Sequence, residues 1–496
     1  VYDMASYDCY DANHNGFAGY ELDAGEYTFF VSRDAHNAAD SFTCSISANI
    51  QYPEDPDTGA AVSNLFTGED ALDDVSLDGS DSDANIIWLT RADFAATFPY
   101  EKASDRAMTD NVSAINLNTE EMAAEWVDED DEDITTGLDN GLSITNEDGT
   151  ISELGYALGA DYDDPLWDDL LDQLTVTEME NLVLHAYCKT GALPSIGKEQ
   201  TTELDGPTQV GSFSYSSAGR GFPNPTTLAQ TFNKDLAYEY GLVNGAEAVQ
   251  LGLDGWYAPG LNLHRSAFGG RNYEYYSEDP CLTGVFASLT IQGARNTGVY
   301  TFLKHFVAYD QESARDGVYV WMSEQTLRET YLKPFRMAVK AGCTGIMTSY
   351  NRLGAVWAGG SYALLTGVLR NEWSFQGAVL TDYADHHIYM NAAQMLLAGG
   401  DLWMDGWLSN GSFQYETSSD SYLKALRRAA KNVTYMVLNT ASAARQYAEE
   451  NPDSVYVTEA QDGINIWRTA LAVFDVTVVL IVIAFILRKY RKSSHA

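Results

Sequence analysis

Between about Asp161 and Asn451 the sequence repeats one unit: a short apolar run that stops at polar residues, then a helical stretch. The runs are LDGWYAP (253–259), VYTFL (299–303), TGIMTS (344–349) and GAVLT (377–381). Their length and apolar content predict buried strands. Between two of them, SEQTLRETYLKPFRMAVKAG sets Leu327, Tyr331, Phe335 and Ala338 on one helical face, with Gly342 as the stop. Strand–helix alternation over this length predicts an α/β fold, and a (β/α)8-type barrel at 161–450 accommodates it best. A doubly wound open sheet is the rival. No Gly-rich phosphate loop follows any of these runs, which disfavours a nucleotide site.

The 496 residues exceed one ordinary core, so further regions are expected. Residues 1–50 alternate at Tyr27, Phe29 and Val31 and again at Phe42, Cys44, Ile46 and Ala48, the pattern of a hairpin from a β-sandwich. Val1 is not an initiating methionine, and an upstream part is expected. Residues 51–160 turn acidic, with DEDDED at Asp128–Asp133, and read as a solvated linker or insertion. A calcium loop there lacks the D-x-D-x-D-G pattern with its trailing Glu. IIWLTRADFAATFP (Ile86–Pro99) is an apolar island expected to pack on a neighbouring domain.

The C-terminus differs again. Residues 464–487 are expected to cross a membrane: Thr469–Leu487 carries one charge, Asp475, and about 20 apolar residues span a bilayer. Arg488, Lys489, Arg491 and Lys492 follow, so 488–496 reads as a basic cytoplasmic tail. The chain is then a single-pass cell-membrane protein with its large part extracytoplasmic. The formal charge of -42 repels nucleic acid and favours neutral or cationic partners. Five scattered cysteines show no zinc or redox spacing; Cys9 and Cys44 could bridge, but free thiols are the simpler reading.

Catalytic groups of barrel enzymes sit where strands end. That rule gathers Asp205, Arg271, Glu274, Glu278, Asp279, Lys304, His305, Tyr350, Asn351 and Asp382. Such a polar set suits a neutral, polyhydroxylated ligand, because carboxylates accept from hydroxyls and Lys, Arg and His donate to them. Glycoside hydrolysis needs two carboxyl groups, one of them ionised to attack, and Lys304 and Arg271 would favour that form in a neighbour. The plainer roles are capping and packing. Alone, Asp382 would cap a helix starting near Ala384, and Glu278 and Asp279 read as turn and cap residues. His386 and His387 are adjacent and cannot share a helix face for a metal; no cofactor is expected.

The ordered runs DGP, GLNLHRSAFGGRNYEYYSEDP, LKHFVAYDQE, IMTSYNRLGAVWA and VLTDY resemble the barrel domain of family 3 glycoside hydrolases, over roughly 161–445. The resemblance implies a retaining β-glycosidase acting on terminal β-glucosyl or β-xylosyl residues, with Asp382 as nucleophile. It implies Asp205, Arg271, Lys304, His305, Met347 and Tyr350 as sugar-binding residues. Tyr383 stands where many members have Trp. Gly211 stands where many have an Arg. LKHFVAYDQESARDGV lacks the His-containing loop of the hexosaminidase branch. In the glucosidase branch the acid/base Glu lies on an α/β-sandwich domain, which in permuted members precedes a fibronectin-III-like domain and the barrel. Residues 1–50 resemble the end of that fibronectin-like domain, so the sandwich is expected upstream of Val1. A surface carbohydrate-binding protein without hydrolytic activity is the alternative.

Overall fold

Each apolar run becomes a short buried strand in the computed structural model, which describes residues 2–9, 11, 13–34, 36–73, 75–76, 107–108, 134–211, 219–384, 389–405, 419–454 and 456. Glu203–Asp205 pairs in parallel with Gly255–Tyr257, and that strand pairs in parallel with Tyr300–Thr301. Leu303–Phe306, Gly345–Thr348 and Ala378–Leu380 form a second parallel set. Residues 300–306 are continuous, so one stretch joins both sets. On the far side backbone bonds complete a circle: Leu402 N to Val379 O (3.0 Å), Trp403 N to Val183 O (2.7 Å) and Glu203 N to Cys188 O (3.0 Å).

The circle departs from a uniformly parallel ring at one place. Bonds from Glu203 N to Cys188 O and from Thr201 N to Thr190 O make 188–190 antiparallel to 201–203. A parallel crossover needs a dozen or more residues, and the 191–200 connection is too short for one.

Helices cover the strands. Leu327, Tyr331, Phe335 and Ala338 are all buried, and Gly342 ends their helix at a positive φ of 92°. Helices Lys234–Gln250 and Pro280–Asn296 touch so closely that a Cβ on Gly241 would strike the Thr290 carbonyl. The last described helix, Asp420–Glu450, buries Tyr422, Leu426, Val433 and Met436 against the strands.

The N-terminal residues form two antiparallel pieces. Ser6–Asp8, Gly19–Leu22 and Ile50–Tyr52 make one sheet, and Gly25–Ser32 pairs with Ala38–Ile46 as the expected hairpin. Phe29 stacks on Phe42 across that hairpin at 4.8 Å. The sheet is fastened to the α/β part of the chain by Arg328. Its Nη1 lies 2.8 Å from both Glu372 oxygens, its Nε 2.8 Å from Glu324 Oε1, and its Nη2 donates to Ser63 O at 3.0 Å. The Tyr7 ring stacks over the guanidinium at 4.5 Å.

The described parts of 51–160 are not the solvated linker expected. Phe66 and Leu72 enter the barrel core, and Ile144 and Leu158 are buried under the last helix. The acidic residues are drawn in by cations: Asp55 and Asp57 lie 2.7 and 2.8 Å from Arg336 Nη2, and Asp57 lies 2.6 Å from Lys340. Composition cannot see those partners, which are supplied from some 280 residues away. The DEDDED run, the 86–99 island and the 464–487 segment lie outside the described residues. Among the described residues no helix is long and apolar enough to cross a membrane.

Candidate active site

The strand ends open into a cleft of about 900 Å³. Asp205 ends its strand, Tyr257 ends the next, Lys304 and His305 lie in the third, and Tyr350 and Asp382 follow the last two. Neighbouring residues of a regular strand point to opposite faces. The register shifts between Leu303 and Phe306, and this irregularity lets Lys304 and His305 both reach the cleft.

All eight residues expected at the site line this cleft: Asp205, Arg271, Lys304, His305, Met347, Tyr350, Asp382 and Tyr383. Glu274, also gathered from the strand ends, joins them. Asp279 instead caps Pro280–Asn296, its Oδ1 accepting from Cys281 N at 2.7 Å, and Glu278 is exposed. Both take the turn-and-cap roles expected.

Most charges in the cleft are already matched. Lys304 Nζ donates to Asp205 Oδ1 at 2.5 Å. Arg271 grips Glu274 with two parallel bonds of 2.9 Å. Glu312 accepts from Tyr309 Oη at 2.6 Å and from Arg315 Nη1 at 3.1 Å. Arg315 lies over the Tyr350 ring at 4.3 Å.

Asp382 is different. Its Oδ1 accepts from the Tyr383 backbone N–H at 2.7 Å, while its buried Oδ2 has no hydrogen-bond partner. Among the described residues it caps no helix: Asn391 caps Ala392–Ala398, accepting from Gln394 N at 3.0 Å, and residues 385–388 lie outside the described residues. Burial pushes the Asp382 carboxyl up to about 6, against the pull of Arg271, the Tyr383 N–H, Lys304 and Arg315. The sequence pointed to Lys304 and Arg271 as favouring the ionised form; desolvation outweighs them. At pH 7 the carboxylate still prevails over the acid by about tenfold.

A neighbouring imidazole bears on the isolation of Oδ2. His305 Nε2 lies 3.7 Å away, and burial, then Arg271, Lys304 and Arg315, hold the ring well below its ordinary pKa, so it is neutral. Asn262 Oδ1 accepts from the His305 backbone N–H at 2.9 Å and faces Nδ1 at 3.2 Å. With Nδ1 protonated toward that oxygen, and the Tyr275 hydroxyl 3.3 Å from the same nitrogen, Nε2 is left as an acceptor. Two acceptors therefore face each other across a gap that a ligand hydroxyl can bridge.

Several lining residues escaped the sequence reading. Arg315 and Glu312 lie beyond the strand in QESARDG, without apolar periodicity to mark them; a Glu and an Arg three apart were the only signal. Tyr187 comes from the far side of the circle and stands 5.5 Å from Tyr383, ring to ring. Gly211 lines the cleft where an Arg was looked for, and Arg315 brings a guanidinium instead. All five cysteines are free thiols. Among the described residues no group of three or more His, Cys, Asp or Glu could hold a metal ion; His386 and His387 lie outside them.

A family comparison decides what this cleft belongs to: the glycosyl hydrolase family 3 N-terminal domain matches residues 207–432. Residues 207–432 are thus similar to the N-terminal domain of family 3 glycosyl hydrolases. A β-glucosidase of Rhizobium radiobacter is 36% identical over 278 residues, covering 54% of this chain and 34% of that protein. A β-glucosidase of Ruminococcus albus is 29% identical over 481 residues, covering 90% of this chain and 45% of that protein. Among solved structures, a β-glucosidase from Paenibacillus barengoltzii superposes with a TM-score of 0.63 at 25% identity, covering 90% of this chain and 47% of that one. The chain thus spans less than half the length of each.

Proposed function

We propose that the chain carries the nucleophile half of a retaining β-glycosidase, acting on terminal β-glucosyl or β-xylosyl residues. The observation that carries this reading is the Asp382 Oδ2 atom: buried, largely ionised at pH 7 and without a partner, in a cleft whose other carboxylates are engaged. Asp382 attacks the anomeric carbon and forms a glycosyl-enzyme. Asp205, Arg271, Lys304, His305, Met347 and Tyr350 hold the sugar in the −1 position. Tyr383, beside Tyr187, offers a stacking face on the leaving-group side. Burial of the nucleophile strengthens every charged contact it makes as the transition state develops.

The second carboxyl group, which protonates the leaving oxygen and then activates water, is proposed to come from outside residues 1–496. Glu274 is gripped by Arg271, Glu312 by Tyr309 and Arg315, and Asp205 by Lys304, so none stands ready to donate a proton. The Ruminococcus and Paenibacillus matches each take in 90% of this chain, whereas the Rhizobium match takes in 54%. That difference supports a shared order of sandwich, β-domain and barrel, with an α/β-sandwich domain of the same polypeptide as the donor. The apolar 464–487 segment and the basic residues after it support a membrane-anchored, extracytoplasmic placement.

The test is direct. Residues 1–496 should bind glucose in calorimetry yet cleave aryl β-glucosides very weakly, and the longer polypeptide should turn them over fully. Full turnover by residues 1–496, abolished by Glu278→Gln, would place the acid within this chain and overturn the divided site.

A further inference from the structure

Beneath the cleft lies a second carboxylate that the proposed reaction does not use. Glu203 is two residues before Asp205 on the same strand, so both point to the inside of the circle, Glu203 one layer deeper. It is wholly buried. Tyr257 Oη donates to its Oε2 at 2.6 Å and Tyr300 Oη to its Oε1 at 2.7 Å. The Tyr257 ring lines the cleft.

The bonds continue away from the cleft in one direction only. A hydroxyl has a single proton to give. Tyr300 gives its own to Glu203, so the Thr201 hydroxyl, 2.8 Å away, must donate to Tyr300. Thr201 Oγ1 in turn accepts from the Thr190 N–H at 3.1 Å and from the Thr190 hydroxyl at 2.5 Å. Thr190 Oγ1 accepts from Lys198 Nζ at 2.9 Å. The other two ammonium protons go to Gly191 O (2.7 Å) and Glu199 O (3.1 Å). Lys198, Thr190, Thr201, Tyr300, Glu203 and Tyr257 are all buried. The chain therefore runs from a buried cation, through three hydroxyls, to a buried anion, and every proton along it has one place to go.

We infer that Glu203 is a positioning residue of the cleft: held from below by the hydroxyl chain from Lys198, it fixes the Tyr257 phenol that forms the cleft floor. Its ligand, a glucosyl group, rests on the function proposed above; its geometry does not.

The carboxylate must stay ionised to accept from both phenols. Once protonated, it must itself donate, and one phenol then loses its acceptor. Burial pushes Glu203 up to about 7, opposed by Tyr257, Tyr300 and Lys198 and reinforced by Asp254. Lys198 is pushed down by burial to about 8. Cys188 is the remaining titratable neighbour, and burial raises its thiol to about 12. The floor is thus set on the alkaline side of neutrality and released on the acid side.

Two readouts on the full chain test this. In the first, 3-fluorotyrosine is placed at position 257 and its 19F resonance is followed from pH 5.5 to 8.5. It should titrate with a midpoint near pH 7, and Glu203→Gln should abolish that titration. A resonance that does not move, or moves alike in Glu203→Gln, overturns the inference whether or not the chain binds sugar. In the second, glucose affinity is measured by calorimetry. Glu203→Gln keeps one acceptor but loses the other, so binding at pH 8 should weaken by about five- to tenfold. At pH 6, where the wild type is itself protonated, the gap should shrink to about twofold or less. Equal affinity of the two proteins at both pH values overturns the inference; absence of binding by the wild type sinks the function proposed above and leaves the fluorine readout to decide this one. Should Glu203→Gln fail to fold, Tyr300→Phe breaks the chain one step lower and should reduce the size of the fluorine titration; an unchanged titration there overturns the inference too.

Discussion

The cleft and the Arg328 cluster are both buried and both ionic, yet they treat their charges differently. Around Arg328 each guanidinium nitrogen has an acceptor: Glu324 takes Nε, Glu372 takes Nη1 and Ser63 O takes Nη2, while the Leu65 and Phe66 N–H groups bond Glu324. The cluster joins the N-terminal sheet to a barrel helix and leaves nothing for a ligand to do. In the cleft the same residue types leave one carboxylate oxygen and one imidazole nitrogen facing each other, both acceptors. A closed network of this kind serves position; an open one stores binding energy for a guest.

The comparison breaks hardest at Asp382. In a polypeptide that carries the proposed upstream domain, Asp382→Asn should lower hydrolysis of aryl β-glucosides by at least about a thousandfold, measured as kcat, with the thermal midpoint kept or raised. Arg328→Leu should do the reverse: it strands Glu372 and Glu324 in the interior and should cost about 3–5 kcal/mol in denaturant unfolding. Any enzyme that still folds should retain its kcat.

The pH dependence sharpens the contrast. Asp382 has its folded-state pKa raised to about 6, so the folded form holds this proton more tightly than the unfolded chain does. Its contribution to stability is therefore greatest at low pH and is lost as pH rises from about 4 to about 6. Across that window Asp382→Asn should gain on the wild type by about 2–3 kcal/mol, read from paired unfolding curves. Over the same range kcat should rise with pH, as the nucleophile ionises. The smallest effect belongs to Asn391→Ala, which removes the true cap of the following helix. It should cost about 1 kcal/mol of stability while glucose affinity stays within about twofold.

Much of the α/β fold was legible because its strands are short apolar runs that end at polar residues. The four runs and the face of Leu327, Tyr331, Phe335 and Ala338 all appear where the pattern put them. Asp382 as a cleft residue was a matter of company: one carboxylate in isolation says little, and the set of strand-end residues says more. Three things were not legible. The 188–190 stretch pairs backwards because a connection is short, and pattern alone does not measure where pairing begins. Asp55 and Asp57 looked like solvated acids because Arg336 and Lys340 are remote in sequence. The lift of the Asp382 pKa comes from depth, which no arrangement of charged letters reveals.

The charges of the cleft have one more consequence. Asp205, Glu274, Glu312 and Asp382 are set against Arg271, Lys304 and Arg315, so the cleft itself is nearly neutral inside a chain whose formal charge is -42. The long-range field is then decoupled from the local one. An uncharged glucoside should arrive at a rate indifferent to ionic strength, a glycoside with a cationic leaving group should arrive faster as salt is diluted, and an acidic one should be turned away before it meets the site.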